Sequence, residues 1–519
     1  MGMTWLANSD FETAWAHHTW SDFRDLAERD RHLVVLPVFG FADHGLGQPL
    51  DAEEIVGSEV LHRAVLHAKS TLRLRVLPPL RFALAPYPNT FFGIDPETAH
   101  EFVRDIASSV QAAGFKKLVF WVTSPWNEEF IDAASRDTRV SLGLQTFVIN
   151  LAGLGLSFHP GSPSRAKLQG IVTHLTGRAP ERAGGLPADV RDATFRPGRW
   201  RQPAPVTPEP GIDGDSLLAE AGSHLARLLA EIDVRPPLGV RTPPPPPAQL
   251  PAVPAPRHAE APTVWPPVYR SRYLPALTRA ELAALPDKEQ ALVLIPTGAI
   301  EQHGYHLPVG VDSIMGQAWL THALPLLPAD APVYVAPPIT YGKSNEHIGF
   351  PGTVFTSALI LRRLLLALAR QLRALGFRHV ALVNTHGGNS AVNTYTLREI
   401  QQTFDLRAGS IGASNALPLS PLELAYGFHA NHWETAAMLA VATPTVHMER
   451  AVREYPARLD DPGELRPESA PAIFSWISSD LSTSGVMGDA AAATAEEGHA
   501  WFAASCASLA ENVLNQLRA

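Results

Sequence analysis

The feature that most constrains the fold is a pattern of local signals that occurs twice, once on each side of a proline-rich stretch. The apolar string LVVLP (33–37) is followed 41 positions later by a Pro-Pro pair. The string LVLIP (292–296) is followed by another Pro-Pro pair at the same distance of 41 positions. Equal spacing of unrelated signals indicates an internal repeat. The chain is therefore predicted to contain two copies of one domain.

Both copies continue with the same order of elements. In the first copy an amphipathic helix is predicted over 97–113, followed by Gly-Phe and the apolar string KLVFWV (117–122). In the second copy the helix is predicted over 359–375, followed by Gly-Phe and HVALVN (379–384). Short apolar strands that alternate with helices predict an α/β fold, with a mostly parallel sheet covered by helices on both faces. In such sheets, sites form at the carboxyl ends of the strands.

The prolines divide the chain. Residues 236–265 carry an unbroken run of five prolines, Pro243 to Pro247, and several more beyond it. Such a segment favours the extended polyproline conformation and cannot contribute strands to a sheet. We therefore predict one domain over 1–235, a linker over 236–265 and a second domain over 266–519. The stretch from about 177 to 211 is predicted to be a surface excursion of the first domain.

Composition excludes several classes of function. Asp and Glu outnumber Lys and Arg by 51 to 42, so the chain lacks the basic surplus that binding to nucleic acid or to anionic membranes needs. A single cysteine, Cys506, excludes an internal disulfide and a cysteine-based zinc cluster, and it suits a reducing compartment. The sequence has no secretion signal and no long apolar run, so a cytoplasmic location is expected.

Imidazoles and carboxylates follow the predicted strands of the second copy. Residues of this kind, placed where strands end, are typical ligands of divalent ions such as Zn²⁺, Mn²⁺ or Fe²⁺. A lone histidine is more often a solvated or hydrogen-bonded side chain, which is our interpretation of His306, His322 and His379. The residues predicted to form the metal site from their positions beyond strands are Glu301, His303, Asp312 and His386.

Several spaced motifs of the second copy resemble those of the creatininase (creatinine amidohydrolase) family. They are EQHGYHLPVGVD (301–312), GKSNEHIGFPGT (342–353), NTHGGN (384–389), the HWET string and the GVMGDAAAATAEEG tail. The resemblance extends over about residues 285–519. It implies an α/β fold, a site for two divalent metal ions, and hydrolysis of non-peptide C–N bonds in small cyclic amides or formamides.

The resemblance also implies roles for individual residues. Glu301 and His386 are expected to bind one ion and His303 the other, with Asp312 bridging both. Creatininase has a glutamate ligand where this chain has Gly388, so Glu434 is expected to complete the second site and to take part in catalysis. His429 occupies the position of the proton donor to the leaving nitrogen. Zn²⁺ is the first expectation for the metal, with Mn²⁺ or Fe²⁺ as alternatives.

Three further residues are predicted to bind substrate, each with an alternative left open. Glu346 and His347 either line the substrate pocket or form an exposed pair on a loop. Trp433 is either a wall of the pocket or a core residue. The HANHWET string that contains Trp433 departs from the family pattern at Asn431 and His432. This departure puts the substrate, but not the chemistry, in question.

The first copy lacks most of these groups. An ungapped alignment of LVVLPVFGFADHG on LVLIPTGAIEQHG places Ala42 at the position of Glu301 and keeps a histidine, His44. Glu53 stands for Asp312, and Ser124 stands for His386. We predict a degenerate, metal-free copy that takes the place of a partner subunit, in a protein that also forms homo-oligomers.

The leading hypothesis is thus a metal-dependent amidohydrolase that cleaves a C–N bond in a small molecule. A peptide-trimming metallohydrolase and a hydrolase of cyclitol or sugar ketones are the alternatives on the same scaffold. A non-catalytic assembly scaffold is the alternative outside enzymes. Joint retention of five candidate metal ligands argues against the scaffold.

Overall fold

The computed structural model describes most of the chain. The described residues are 10–45, 47–85, 89–159, 162–178, 212–235, 269–413, 417–456, 465–466, 472–473 and 475–518. The predicted linker over 236–265 lies outside them, as does nearly all of the predicted excursion over 177–211. The parts before and after the linker are called the N-terminal half and the C-terminal half below.

The N-terminal half contains a parallel sheet in the order β3-β1-β6-β7, and the short strand β4 also pairs with β1. Its strands are β1 (Leu33–Phe39), β2 (Phe41–Ala42), β3 (Leu74–Val76), β4 (Leu80–Arg81), β5 (Thr90–Phe91), β6 (Lys117–Val122) and β7 (Gln145–Asn150). Its helices are α1 (Trp20–Asp25), α2 (Ala52–Ala68), α3 (Pro96–Ala112), α4 (Glu128–Leu142), α5 (Arg165–Thr176) and α6 (Gly214–Asp233).

The C-terminal half contains a parallel sheet in the equivalent order β9-β8-β10-β11. Its strands are β8 (Leu292–Thr297), β9 (Val333–Val335), β10 (His379–Asn384), β11 (Arg407–Ser410), β12 (Arg453–Glu454), β13 (Leu465–Arg466), β14 (Ala472–Ile473) and β15 (Gly488–Asp489). Its helices are α7 (Arg279–Ala284), α8 (Val311–Ala323), α9 (Ala358–Ala374), α10 (Ser390–Phe404), α11 (Pro421–Tyr426), α12 (His432–Val441), α13 (Ser478–Leu481) and α14 (Ala495–Arg518).

The two sheets agree in register as well as in strand order. Leu33 of β1 pairs with Lys117 of β6, and Leu292 of β8 pairs with His379 of β10. The α/β class with mostly parallel sheets, expected from the sequence, is confirmed.

The helices α3 and α9 show how the same local signals act in both halves. Asp95 caps α3 by accepting the Thr98 N–H, and Ser357 caps α9 by accepting the Ile360 N–H. Beyond each helix the chain turns at a glycine with positive φ, +91° at Gly114 and +100° at Gly376. Glycine adopts this conformation without the steric cost of a Cβ, so both helices end where their apolar pattern ends.

Most of the apolar core is shared between the halves. One continuous cluster of buried side chains includes Trp15 and Phe115 from the N-terminal half and Tyr341 and Phe377 from the C-terminal half. Helix α3 packs against α9 across this junction. A second cluster lies within the N-terminal half, between its sheet and the helices α2, α5 and α6. The described helices include none with the length and hydropathy needed to cross a membrane.

Candidate metal centre

The acidic and imidazole side chains predicted from the sequence come together at the carboxyl ends of β8 and β10. Glu301 and His303 follow β8, and His386 follows β10. Asp312 lies in the first turn of α8, and His429 and Glu434 flank the start of α12. All are buried except Glu434, whose side chain is 21% exposed. The structure therefore places these six candidate residues in one cluster.

The cluster divides into two groups that share one carboxylate. His386 Nδ1 lies 3.2 Å from Glu301 Oε2 and 3.4 Å from Asp312 Oδ2. His303 Nε2 lies 3.6 Å from Asp312 Oδ1 and 4.0 Å from Glu434 Oε1. In each group the potential ligand atoms all lie within 4.8 Å of one another. Asp312 belongs to both groups, as expected for a carboxylate that bridges two ions.

Backbone carbonyls orient three of the imidazole rings. His303 Nδ1 lies 3.0 Å from the Glu301 carbonyl, His386 Nε2 lies 2.9 Å from the Lys343 carbonyl, and His429 Nε2 lies 2.8 Å from the Gln302 carbonyl. Because a carbonyl only accepts, each of these nitrogens carries the proton. The second nitrogen of each neutral ring then turns a lone pair toward the carboxylates, an arrangement typical of metal-binding histidines.

Four buried atoms at the centre of the cluster have no hydrogen-bond partner among the described residues: Glu301 Oε2, His303 Nε2, Asp312 Oδ2 and Glu434 Oε2. Leaving a buried polar atom unpaired costs about 1–3 kcal/mol, and more for a charged group. Oxygen and imidazole nitrogen are the donor types that zinc and manganese accept. The residues present therefore fit a pair of divalent cations.

Ionisation of the cluster follows from the same proximity. Burial alone would lower the pKa of His386, but Glu301 and Asp312 beside it raise that pKa to about 10. Burial is likewise outweighed at His303, where Asp312 and Glu434 raise the pKa to about 9. Burial raises the pKa of Glu434 to about 7. Without a cation, protons thus neutralise part of the repulsion between these carboxylates.

His429 is arranged as an acceptor. Its Nδ1 faces Glu301 Oε1 at 3.7 Å, and with Glu301 and His303 it forms a third possible ligand group. Burial, with His303 and His347 nearby, holds the pKa of His429 well below the usual histidine range. A neutral ring whose N–H on Nε2 is donated to Gln302 has a lone pair on Nδ1, which can bind a cation or accept a proton. The geometry fits a ligand role, and the role of proton donor to the leaving nitrogen stays a prediction.

His347 does not lie on an exposed loop. It is 3% exposed, and its Nδ1 accepts a hydrogen bond from the Gln302 amide at 3.1 Å. The ring therefore carries its proton on Nε2, which faces Glu301 Oε1 at 3.5 Å. Ser478 Oγ lies 2.7 Å from the same Nδ1. His347 thus presents its N–H to the Glu301 carboxylate. This orientation depends on Gln302 and Ser478 and has no local signal in the sequence.

Glu346 lies beside the cluster at Gly388. Its carboxylate pairs with Lys343 Nζ at 2.7 Å, and the side chain is 11% exposed. A Cβ at position 388 would lie within 2.6 Å of Glu346 Oε1, His386 Nε2 and the Lys343 carbonyl oxygen, so a larger residue there would force these groups to shift. The glycine that departs from the creatininase pattern therefore makes room for Glu346. These contacts leave a pocket-lining role for Glu346 as a prediction.

Structural contacts explain the unusual HANHWET string. Asn431 caps α12 by accepting the Glu434 N–H at 3.0 Å, and His432 pairs with Glu497 at 3.0 Å. Trp433 packs against Trp501 and the apolar core. Its contacts are those of a core residue, which was the alternative to the predicted pocket wall.

Glu423, which the sequence analysis missed, holds the loop that carries His429. It is 1% exposed and accepts the backbone N–H of His432 at 2.8 Å and that of Asp489 at 2.9 Å. Tyr455 Oη donates a third hydrogen bond to it at 2.8 Å. A single glutamate in the short helix α11 carries no sequence signal for this role.

At the equivalent place in the N-terminal half, the polar groups are paired with one another. His44 Nε2 lies 2.9 Å from Glu53 Oε1, and the Gly40 N–H donates to Glu53 Oε2 at 2.9 Å. Ser124, at the position of His386, is buried and its hydroxyl has no partner among the described residues. In the part of the chain that the structure describes, the groups of three possible metal ligands all lie in the C-terminal half.

The chain is similar to several known proteins. The sequence model of the creatininase family, described as creatinine amidohydrolase, matches residues 16–181 and 275–513. The mycofactocin precursor peptide peptidase of Mycolicibacterium smegmatis is 34% identical over 215 residues, which cover 41% of this chain and 80% of that protein. The creatinine amidohydrolase of Pseudomonas putida is 26% identical over 215 residues, covering 36% of this chain and 78% of that protein.

A solved structure of creatinine amidohydrolase is 23% identical and covers 48% of this chain and 98% of its own, with a TM-score of 0.38. A structure titled "Creatininase Mn" is 22% identical and also has a TM-score of 0.38, with coverage of 48% and 99%. The family match extends over well more than half of the sequence, and it includes every candidate residue of the cluster. The chain belongs to the creatininase family and is a hydrolase of that family.

Proposed function

We propose that the C-terminal half is a two-metal hydrolase that cleaves an amide C–N bond in a small molecule. The observation that carries this proposal is the pair of ligand groups that share Asp312, with four buried atoms left unpaired between them. Zn²⁺ is the proposed metal, and Mn²⁺ or Fe²⁺ would suit the same mixture of oxygen and nitrogen donors. Residues 266–519 would form the catalytic domain, and residues 1–235 its metal-free counterpart.

In this proposal Glu301, Asp312 and His386 hold one ion, and His303, Asp312 and Glu434 hold the other. Two divalent ions supply Lewis-acid polarisation of the substrate carbonyl and lower the pKa of water. His429 either adds a ligand or orients its neighbours, because its Nδ1 lone pair faces Glu301.

Glu434 is the residue proposed to move protons. It is the most exposed member of the cluster, at 21%, and burial raises its pKa to about 7. Bound cations would lower this pKa, so the assignment rests on the exposure and the unpaired oxygen of Glu434. We therefore assign proton transfer during C–N cleavage to Glu434 Oε2, which has no hydrogen-bond partner among the described residues.

A peptide bond is the second candidate substrate. The relatives named mycofactocin precursor peptide peptidase are 33–34% identical to this chain, above the 26% of the creatinine amidohydrolase. The same arrangement of residues suits attack on a peptide carbonyl and on a cyclic amide. A relative named 3-dehydro-scyllo-inosose hydrolase, 27% identical over 180 residues, keeps the cyclitol-ketone alternative as a third class for the same screen.

The decisive experiment combines metal analysis with a substrate screen. Purified wild-type protein should retain about two divalent ions per chain after metal loading and dialysis. It should then hydrolyse one class among cyclic amides, formamides, short peptides and cyclitol ketones. The blank is His386→Ala, and the matched control is Ser124→Ala at the equivalent position of the N-terminal half. Turnover by His386→Ala equal to the wild-type rate would refute the assigned site, and absence of bound metal would favour the scaffold.

The cytoplasmic location and the formation of homo-oligomers remain predictions from the sequence. The single thiol, Cys506, is buried and its pKa is raised by burial to about 12. Such a thiol is chemically inert, and it is compatible with a role in the core.

A further inference from the structure

A segment of the N-terminal half lies against the loops that carry the candidate metal centre. This segment, residues 14–23, is called the N-terminal strap here. It precedes the first sheet strand and leaves its own half to contact the C-terminal half through backbone and side-chain hydrogen bonds. Its large side chains are buried: Trp15 is fully buried, and Phe23 and Trp20 are 1% and 6% exposed.

Two backbone bonds join the strap to the turn before α8. The Val309 N–H donates to the His18 carbonyl at 2.8 Å, and the Gly310 N–H donates to the Ala16 carbonyl at 3.0 Å. On its other side Val309 accepts the Glu301 N–H at 2.9 Å. The turn held by the strap is therefore bonded directly to Glu301 and lies two residues before Asp312.

The two tryptophans of the strap bond two further loops. Trp15 Nε1 donates to the Gly352 carbonyl at 2.8 Å, and the next residue, Thr353, accepts the Gln302 N–H through its hydroxyl at 3.1 Å. Trp20 Nε1 donates to the Ser484 carbonyl at 2.9 Å. The loops beyond β8 thus receive support from the N-terminal half at several points.

The loop held by Trp20 leads to His429. Three residues after Ser484, Met487 exchanges backbone hydrogen bonds with His429, at 2.8 Å and 3.3 Å. Between them, the Gly485 carbonyl accepts the Gln302 amide at 3.1 Å. The strap is therefore connected to Glu301, Asp312 and His429 by short paths of hydrogen bonds and adjacent residues.

A segment of the C-terminal half contacts the N-terminal half in the same way. Residues 273–282, the C-terminal strap, lie 259 positions after the N-terminal strap. Leu277 and Pro275 accept the N–H groups of Leu50 and Asp51, at 3.0 Å and 2.9 Å. These four residues stand 259 positions from His18, Ala16, Val309 and Gly310, which make the first pair of bonds.

Other details of the straps also repeat. Ala14 bridges to Val76 in its own half, as Tyr273 does to Val335. Thr19 and Thr278 each form a capping box at the start of the following helix. Here the same pair of surfaces meets twice, with the two halves exchanging roles. This reciprocal contact is typical of a two-fold interface between like subunits.

We propose that the N-terminal half is a built-in partner subunit whose strap positions the metal centre, with Trp15 and Trp20 as positioning residues. The metal readout of this proposal rests on the proposed function. The mechanical part does not, because the strap holds the same loops whether or not a cation is bound. The occupant of the partner position is a segment of the same chain, so the support is present at any protein concentration.

The test uses the full chain with Trp15→Phe and Trp20→Phe, singly and together. Each change keeps an aromatic ring and removes one buried N–H donor. The matched control is Trp121→Phe, because Trp121 Nε1 donates to the Gly57 carbonyl at 3.0 Å within the N-terminal half. Zn²⁺ affinity is measured by competition with a chromophoric chelator, thermal stability by calorimetry, and loop protection by hydrogen–deuterium exchange.

We expect the double variant to bind Zn²⁺ about tenfold more weakly than wild type, the lower end of the effect of outer-shell changes. Exchange should accelerate in segments 300–310 and 484–487, with or without metal. Trp121→Phe should lower the melting temperature by a similar amount while affinity and loop exchange stay at wild-type values.

Equal Zn²⁺ affinity and equal loop exchange in the strap variants and in Trp121→Phe would overturn the proposal. If the double variant fails to fold, Gly310→Ala provides the same test, since a Cβ there would lie 2.6 Å from the Ala16 carbonyl oxygen. A wild-type protein that binds no metal would refute the proposed function. The exchange data would then decide on the strap alone.

Discussion

The carboxyl ends of the two sheets carry the same backbone and opposite chemistry. In the C-terminal half, four buried polar atoms of the cluster have no hydrogen-bond partner within the described part of the chain. In the N-terminal half, His44 and Glu53 form a closed pair, and the second oxygen of Glu53 accepts the Gly40 N–H. Unpaired buried groups cost free energy, whereas a paired and hydrogen-bonded charge is stable. The difference teaches that the fold itself does not require the cluster, so the C-terminal half keeps it for another purpose.

A second contrast lies one turn further along. Gly388 lets His386, Glu346 and the Lys343 carbonyl approach the backbone closely, and the N-terminal half has Trp126, which is 5% exposed, at the matching place of its TSPWN string. Asn127 and Asn389 follow these positions, and each accepts a backbone N–H through its side chain, from Leu84 and from Lys343. The backbone support is the same on both sides, and only the C-terminal half has the glycine that permits this close approach.

The largest effect that would break this comparison is expected from Asp312→Ala. Outer-shell changes at metal sites cost about 10–100-fold, so loss of a carboxylate shared by both groups should lower metal affinity and kcat/KM by more than about a hundredfold. Metal-dependent gain in melting temperature should disappear with it. Metal titration and calorimetry on the same samples measure both quantities.

Glu53→Ala is the matched variant in the other half. It leaves His44 Nε2 and the Gly40 N–H buried without their partner, so we expect a loss of about 1–3 kcal/mol in the free energy of unfolding for each of these groups. Metal affinity should stay at the wild-type value. If Glu53→Ala abolished metal binding while Asp312→Ala did not, the assignment of the two halves would be reversed.

The pH dependence of metal affinity is the next effect in size. Nearby carboxylates raise the pKa of His303 to about 9 and that of His386 to about 10, so both rings carry an extra proton at neutral pH in the metal-free protein. Binding a cation releases these protons, and each one steepens the dependence by about tenfold per pH unit. Affinity should therefore rise with pH up to about 10 and fall as the pH is lowered. Calorimetric titrations at several pH values, repeated with Glu53→Ala, should give the same slope for both proteins. A flat profile would contradict the site.

Gly388→Ala sharpens the second contrast. An added Cβ would lie 2.4 Å from Glu346 Oε1 and 2.6 Å from the Lys343 carbonyl oxygen, so the 343–346 loop must shift. Because the Lys343 carbonyl orients His386, we expect metal affinity to fall by about tenfold. The control is Gly387→Ala, where an added Cβ meets no atom within 4 Å. Equal metal affinities for Gly388→Ala and Gly387→Ala would show that metal binding does not depend on the close approach at Gly388.

The smallest effect is expected from Ser124→Ala. The hydroxyl of Ser124 is buried without a partner among the described residues, so its removal should stabilise the protein by up to about 1 kcal/mol. Metal content should not change. Urea unfolding of wild type and variant measures the difference. A loss of bound metal would show that the N-terminal half contributes a ligand.

Local signals were sufficient for the elements that carry the site. The strings KLVFWV and HVALVN coincide with β6 and β10, because apolar runs between turn residues become buried strands wherever a sheet forms. Glu301, His303 and Asp312 lie beyond β8 and His386 lies beyond β10, as expected, since strand ends of a parallel sheet share one edge.

Contacts between distant segments were not accessible from the sequence. The tautomer of His429 is set by the Gln302 carbonyl, and the place of His347 by Gln302 and Ser478. Glu423 holds its loop from a separate helix. The N-terminal strap bonds the C-terminal half mainly through backbone atoms, which leave no mark in the residue types.

The shared apolar core has a consequence for synthesis on the ribosome. Trp15 and Phe115 belong to one buried cluster with side chains such as Phe377, which are translated long after residue 235. At about 5–20 residues per second, the remaining part of the chain takes some tens of seconds to emerge. During this interval the face of α3 that later meets α9 has no covering partner. The nascent chain therefore exposes apolar surface that chaperones can bind. The yield of folded protein in cells should depend on chaperones more than the yield of a chain with two separate cores does.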